Sequence, residues 1–243
     1  MYPVILAAGK GSRMESDLPK PLLTVAGVSM VEHVLNTLLV MPDISPKPCV
    51  VVGYREDVMR DSLAKRRVEF ASQEEQLGTG HAVRCALPVI PKEEENVVIL
   101  YGDVPLISSA TLNSMITLHQ SRPSLTLLTM KQDDPAGYGR ILRDPYGEVC
   151  GIVEEKDAND DERRIQEVNT GIMIVNHALL KSWIDALRAD NAQKEYYLTD
   201  IVALANSDRY PVNAYQTLDP QEVMGANTPA QLAELETAFF ARQ

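Results

Sequence analysis

Lys10, Arg13 and Lys20 lie in or just after a loop of small residues, Ala7-Ala8-Gly9, which follows the apolar run Val4-Ile5-Leu6. Small residues let backbone N–H groups come close to a ligand, and successive amides form anion-binding nests. Cations and free amides at the end of a strand suit phosphate. The Gly-x-Gly spacing also serves a tight turn, so the loop alone leaves both readings open. Two known phosphate motifs are excluded. Met14 stands where the dinucleotide fingerprint needs its third glycine, and no Gly-Lys-Ser/Thr closes a longer spacer.

Two further stretches carry polar groups. Gln73-Glu74-Glu75-Gln76-Leu77-Gly78-Thr79-Gly80 offers amides and a hydroxyl, and Tyr101-Gly102-Asp103 offers a carboxylate. Hard oxygen ligands such as Asp103 suit magnesium shared with substrate phosphates, and the same position suits a turn or helix-capping aspartate. Glu154 and Glu155 are adjacent, and neighbours on a strand face opposite ways. At most one of them points into a site, and the other is expected to be a solvated charge. No Gly-x-Ser-x-Gly elbow is present, which disfavours a serine hydrolase of that type.

The elements that must position these groups follow from hydrophobic periodicity. Short apolar runs at Val4–Leu6, Val50–Val52, Val68–Ala71, Val97–Leu100 and Leu125–Met130 read as buried strands. Helices are predicted between them, at Met30–Leu39, Glu56–Lys65, His81–Leu87 and Thr111–Gln120. In the first of these the stripe is Val31, Val34, Leu35, Leu38 and Leu39. This alternation predicts parallel pairing with crossover helices. In such sheets ligands bind at the carboxyl ends of the strands, where all three polar stretches fall. The second part reads differently. A hairpin turns at Asp144–Gly147, a strand over Val168–Val175 is interrupted at Asn169–Gly171, and helices follow at Ala178–Arg188, Leu198–Ala205 and Pro229–Phe240.

Composition narrows the function. With 243 residues, 45% hydrophobic and 23% charged, the chain is long enough for a substantial core. A net charge of -11 argues against a nucleic-acid binder and makes the early cations conspicuous. Cys49, Cys85 and Cys150 are scattered, as in a reduced cytoplasmic protein, and the four histidines are isolated from one another and from the cysteines, which disfavours zinc. No apolar run is long enough to span a bilayer, and the first strand leaves no room for a signal peptide.

In order, LAAGKGSRM, DLPKPLLTVAG, EQLGTGHAV, LYGDVPLI, GYGRI, GIVEEKDA, EVNTGI and EYYLTDI resemble the sugar-nucleotidyltransferase family. More narrowly they resemble the uridylyltransferase (pyrophosphorylase) domain of the bacterial bifunctional N-acetylglucosamine-1-phosphate uridylyltransferase/glucosamine-1-phosphate acetyltransferases. Pro21 after Lys20 is closer to the wider pattern. The resemblance runs from about Val4 to Asn227. It implies an α/β fold, a Rossmann-like, mostly parallel sheet flanked by helices with a smaller sugar-binding lobe. The nucleotide-binding half would cover about 1–110 and the sugar-binding half about 111–227, with a C-terminal helix over 228–243.

The implied reaction joins UTP and N-acetylglucosamine 1-phosphate to give UDP-N-acetylglucosamine and pyrophosphate, feeding cell-wall precursor and lipopolysaccharide synthesis. By resemblance, Arg13 and Lys20 are catalytic, while Leu6, Ala7, Ala8, Gly9, Gln73, Gly78 and Thr79 bind the nucleotide, the first four through their amides. Tyr101, Gly102, Gly139, Glu154, Asn169 and Tyr197 bind the sugar, and Asp103 and Asn227 hold Mg2+. Asn227, between Gly225-Ala226 and Thr228-Pro229, is equally placed beside a helix start. Hexapeptide repeats of the acetyltransferase β-helix do not occur in this sequence, so acetyl transfer is not expected, and the protein is expected to be a monomer or weak oligomer. Lys20 is expected to be an exposed loop lysine. Two other readings stand beside this one: transfer of another nucleotide (thymidylyl or cytidylyl) by the same fold, and a sugar-nucleotide-binding module without turnover.

Overall fold

A computed structural model of the protein describes residues 1–14 and 16–242; Glu15 and Gln243 lie outside the described residues. The apolar runs form the strands expected of them. β1 (Tyr2–Leu6) is buried throughout. A small hairpin of β2 (Thr24–Val25) and β3 (Val28–Ser29) turns at Ala26-Gly27, both at positive φ. It leads into α1 (Met30–Leu39), which buries Met30, Val31, Val34, Leu35 and Leu38 but leaves Leu39 56% exposed, against expectation. β4 (Cys49–Val52), α2 (Glu56–Ser62), β5 (Glu69–Ser72), α3 (Thr79–Ala86), β6 (Asn96–Tyr101), α4 (Ser109–Ser121) and β7 (Leu125–Lys131) continue the alternation. The predicted hairpin is β8 (Arg140–Arg143) and β9 (Val149–Val153). After it come β10 (Glu167–Asn176), α5 (His177–Ala186), α6 (Ile201–Ser207), β11 (Val212–Gln216) and α7 (Pro229–Phe240).

The strands build one mixed sheet in the order β11-β7-β10-β6-β1-β4-β5, with the β8–β9 ribbon paired to one end of β10. β1, β4, β5 and β6 are mutually parallel, and so are β7 and β11. β10, from the second part of the chain, is inserted between β6 and β7 and runs antiparallel to both, so β7 does not pair directly with the parallel strands of the first part. The chain moves from β1 outward to β4 and β5 and then returns to β6 on the other flank of β1. Strand order therefore reverses between β1 and β6, the point where open α/β sheets leave a crevice. Helices cover both faces over two apolar layers, one centred on Trp183, Ile184 and Ile201, the other on Val31, Leu35 and Met115. A third, smaller cluster seats α7 against the hairpin through Val25, Met30 and Leu235. No helix among the described residues is long and apolar enough to cross a membrane.

One buried polar network crosses the second layer. His119 is fully buried, its Nδ1 3.0 Å from Thr126 Oγ1 and its Nε2 3.0 Å from Asn96 Oδ1. Asn213 Nδ2 donates to the same Thr126 hydroxyl at 3.1 Å. No carboxylate is among these partners, and burial holds the imidazole down to about 4. A pKa depressed in the folded state leaves stability intact above the unfolded value near 6.5. That stability is lost as pH falls from there toward 4, because only the unfolded chain takes up the proton. The expected loss is on the order of 3 kcal/mol. Urea unfolding at pH 7.5 and pH 5 captures about 2 kcal/mol of it, the rest being lost only on approach to pH 4, and His119→Gln should flatten the dependence.

Candidate active site

The first loop leaves β1 at the crevice. Gly11 has φ +62°, and a Cβ there would lie 2.6 Å from Lys20 Cβ. The glycine thus serves both the turn and the cation, since the lysine stem packs where a side chain would be. Tyr54 N donates to Ala8 O at 3.0 Å and anchors the loop to the end of β4. Ala7 N donates to Val51 O at 2.9 Å, and Leu6 lies in the ladder between β4 and β6. The sheet therefore occupies the Ala7 amide, while Leu6, Ala7, Ala8 and Gly9 all line the cleft.

Lys20 is not the exposed loop residue expected. Its side chain is 12% exposed, its ammonium forms an ion pair with Asp103 Oδ2, and it donates to Asn227 Oδ1 at 2.7 Å. Three residues that the sequence separates widely therefore meet at one nitrogen. Neither oxygen-bearing residue is a helix cap. Ser108 caps α4 through Thr111 N, and Thr228 caps α7 through Gln231 N. Gly225 makes room for the approach, because a Cβ there would stand 3.2 Å from Asp103 O. Asp103 and Asn227 present oxygens that already share a cation, which fits a hard divalent ion. No cluster of three acidic, histidine or cysteine ligands occurs among the described residues. Two protein oxygens suit magnesium that takes its remaining ligands from phosphates and water. Arg13, itself exposed on a 3-10 turn, lines the same cleft.

The cleft has a volume of about 410 Å³ and runs from Leu6–Gly9 past Lys20 to Gln73, Gly78 and Thr79. α3 begins at Thr79, two residues before the predicted start, with Gly78 (φ +108°) as its cap. A Cβ on Gly78 would lie 2.6 Å from Tyr196 O. Gln73 is 3% exposed; its Nε2 donates to Gly78 O at 3.0 Å and lies 3.2 Å from His81 Nδ1. Its Oε1 has no protein partner among the described residues. Two backbone bonds tie this loop to the second half of the chain. Gly80 N donates to Tyr196 O and Tyr196 N to Leu77 O, both at 2.8 Å.

The other end of the site belongs to β8, β9 and β10. Asn169 N donates to Gly139 O at 2.8 Å, and its Oδ1 accepts from Gly171 N at 3.1 Å, closing the bulge that the interrupted strand pattern announced. A Cβ on Gly139 would lie 3.3 Å from both Glu154 oxygens. Thr199 Oγ1 donates to Glu154 Oε1 at 2.9 Å. Burial pushes the Glu154 carboxyl up; Asp200 and Asp157 add to this, while the Thr199 bond and Arg140 oppose it. Tyr101 closes the cleft toward this side, and Gly102 beside it keeps the backbone close to Ala7 and Pro21. Burial, then Glu154 and Asp103, raise the phenol of Tyr101, which keeps it a neutral donor. Tyr197 and Glu154 line an adjoining hollow of about 350 Å³ with Asp157 and Asp200.

Several lining residues escaped the sequence reasoning: Gln76, Ala82 and Glu195 in the cleft, and Thr199 on Glu154. All four lie in motifs already singled out, so adjacency was the available signal. Glu155 is no free solvated charge, since it pairs with the buried Arg140 at 2.7 Å.

Residues 3–195 match the MobA-like NTP transferase domain. The chain is 49% identical over 241 residues to the bifunctional protein GlmU of Idiomarina loihiensis, covering 99% of this chain and 52% of that protein. It is 48% identical over 243 residues to that of Marinobacter nauticus, covering all of this chain and 53% of the relative. A Francisella tularensis subsp. novicida relative of the same name is 46% identical over 237 residues, covering 97% of this chain and 51% of the relative. The chain thus spans about half the length of these curated relatives. Among solved structures, a UDP-glucose pyrophosphorylase complexed with UDP-glucose superposes with a TM-score of 0.80 at 16% identity, covering both chains fully. At that identity the likeness shows the fold.

Proposed function

The chain belongs to the MobA-like NTP transferase family, and from that premise we propose that it transfers the uridylyl group of UTP to N-acetylglucosamine 1-phosphate, releasing pyrophosphate. The observation that carries this reading is the convergence of Lys20, Asp103 and Asn227 in a cleft that continues to Gln73 and opens toward Glu154. The sugar phosphate oxygen attacks the α-phosphorus of UTP in line, the new P–O bond forms, and the bond to the β-phosphate oxygen breaks. Such a transfer asks the protein for positioning and for neutralisation of charge. Arg13 and Lys20 supply the positive charge around the leaving pyrophosphate. The amides of Ala8 and Gly9 hold phosphate oxygens. Asp103 and Asn227 would hold Mg2+, which when bound neutralises phosphate charge.

Gln73 supports the choice of base. With Nε2 turned inward, Oε1 is left as an acceptor, which matches the imide N–H of uracil and mismatches the acceptor nitrogen at the same position of cytosine. At the other end, Gly139, Glu154, Asn169 and Tyr197 form the sugar subsite, with Glu154 and the Asn169 side chain able to bond sugar hydroxyls and the acetamido group. A panel of UTP, dTTP and CTP against several hexose and hexosamine 1-phosphates, scored by pyrophosphate release with magnesium, tests the reading. The expected result is a clear preference for UTP with N-acetylglucosamine 1-phosphate. Equal rates with dTTP and glucose 1-phosphate would refute it, and binding without turnover would favour a silent module.

A further inference from the structure

We propose that Arg140, acting through Glu155, is the positioning residue of the sugar subsite, a proposal that rests on the sugar-binding reading of Gly139, Glu154 and Asn169. Arg140 pairs across the sheet with Val168 on β10 and with Val153 on β9. One step along the same three segments stand Gly139, Asn169 and Glu154, the residues assigned to the sugar. Side chains alternate along a strand. Arg140 and Glu155 therefore occupy the face behind the subsite.

Behind that face the guanidinium draws together three stretches of backbone. Arg140 is 1% exposed and donates to Glu155 Oε2 at 2.7 Å, to Tyr138 O, and to Arg163 O at 3.4 Å. The same Glu155 oxygen accepts from Gly137 N at 3.2 Å. The turn before β8, the end of β9 and the turn at Glu162–Arg164 thus share one clamp. A buried arginine is a poor way to gain stability, since packed apolar residues of similar size commonly do as well or better. Arg140 Nε is moreover buried without a partner. What the clamp does provide is a fixed separation between Gly139 and Glu154, where even a methyl group on the glycine would touch both carboxylate oxygens. A planar fork that grips a carboxylate and carbonyls together holds that geometry in a way a lysine does not.

Steady-state kinetics of the purified protein, its Glu155→Gln variant and its Arg140→Lys variant test the proposal, with thermal unfolding and amide exchange at Gly137 alongside. Glu155→Gln should raise KM for N-acetylglucosamine 1-phosphate roughly fivefold to fiftyfold while kcat and KM for UTP stay within about twofold. Arg140→Lys should move the same constant in the same direction, and exchange at Gly137 should quicken in both. The proposal is overturned if both KM values rise together, or if kinetics hold while only the melting temperature falls. It is overturned equally if Arg140→Lys folds and matches the unaltered protein. Should that variant not fold, Glu155→Gln decides alone. An unaltered protein that transfers no uridylyl group to any sugar phosphate would instead sink the function on which the proposal rests.

Discussion

Lys20→Ala is expected to lower kcat/KM for the proposed uridylyl transfer by roughly 100- to 1,000-fold, the range seen when one preorganised charge at a reacting centre is removed. The way the lysine is held supports that proposed role. Its stem fills the space beside Gly11, and its ammonium is fixed by Asp103 and Asn227. No reorganisation is then needed as charge moves toward the leaving pyrophosphate. Because Lys20 is 12% exposed and paired, folding also responds: the variant leaves Asp103 with one fewer partner, at a cost of about 1–3 kcal/mol. Rate and stability are separable by measuring kinetics well below the variant's melting temperature. A folded variant with normal kcat/KM would remove Lys20 from the mechanism.

Asp103→Ala is expected to cost about 1,000-fold in kcat, and the magnesium concentration giving half the maximal rate should rise with it. Besides its ion pair with Lys20, this carboxylate is proposed to donate an oxygen to the metal, and the two roles predict different titrations. If Asp103 only orients the lysine, the rate falls while the magnesium dependence keeps its midpoint. If it also holds the ion, the midpoint shifts and added magnesium restores part of the rate. Lys20→Ala and Asp103→Ala share one contact, so their effects should fall well short of additive when combined.

Much of this arrangement was legible in the chain. Runs such as Val50–Val52 and Val97–Leu100 are buried strands because their residues suit a pleated surface covered on both faces. The motifs around Lys20, Gly78, Asp103 and Asn169 marked the loops and strand ends that carry the candidate site. The direction of β10 was not legible, since its apolar run Ile172–Val175 reads alike in either direction and hydrophobicity does not encode polarity of pairing. The start of α3 was missed because Gly78 caps it through a left-handed φ rather than through a side-chain oxygen. The burial of Lys20 was missed for a tertiary reason. It arises from Gly11, Asp103 and Asn227, none of which is its neighbour in sequence. Arg140 left one local hint, a charge within a strand, but its partner Glu155 was read as solvated.

The two short bonds between Leu77–Gly80 and Tyr196 carry an implication for how such a protein diversifies. The loop assigned to the base is braced by backbone from the half assigned to the sugar, so the seam between halves passes through the nucleotide end of the cleft itself. Swapping the back half for that of a distant relative would exchange more than sugar preference, because the floor under the base would go with it. Modularity is therefore limited: a crossover near residue 110 yields a working chimera only when both parents shape the chain at Tyr196 alike.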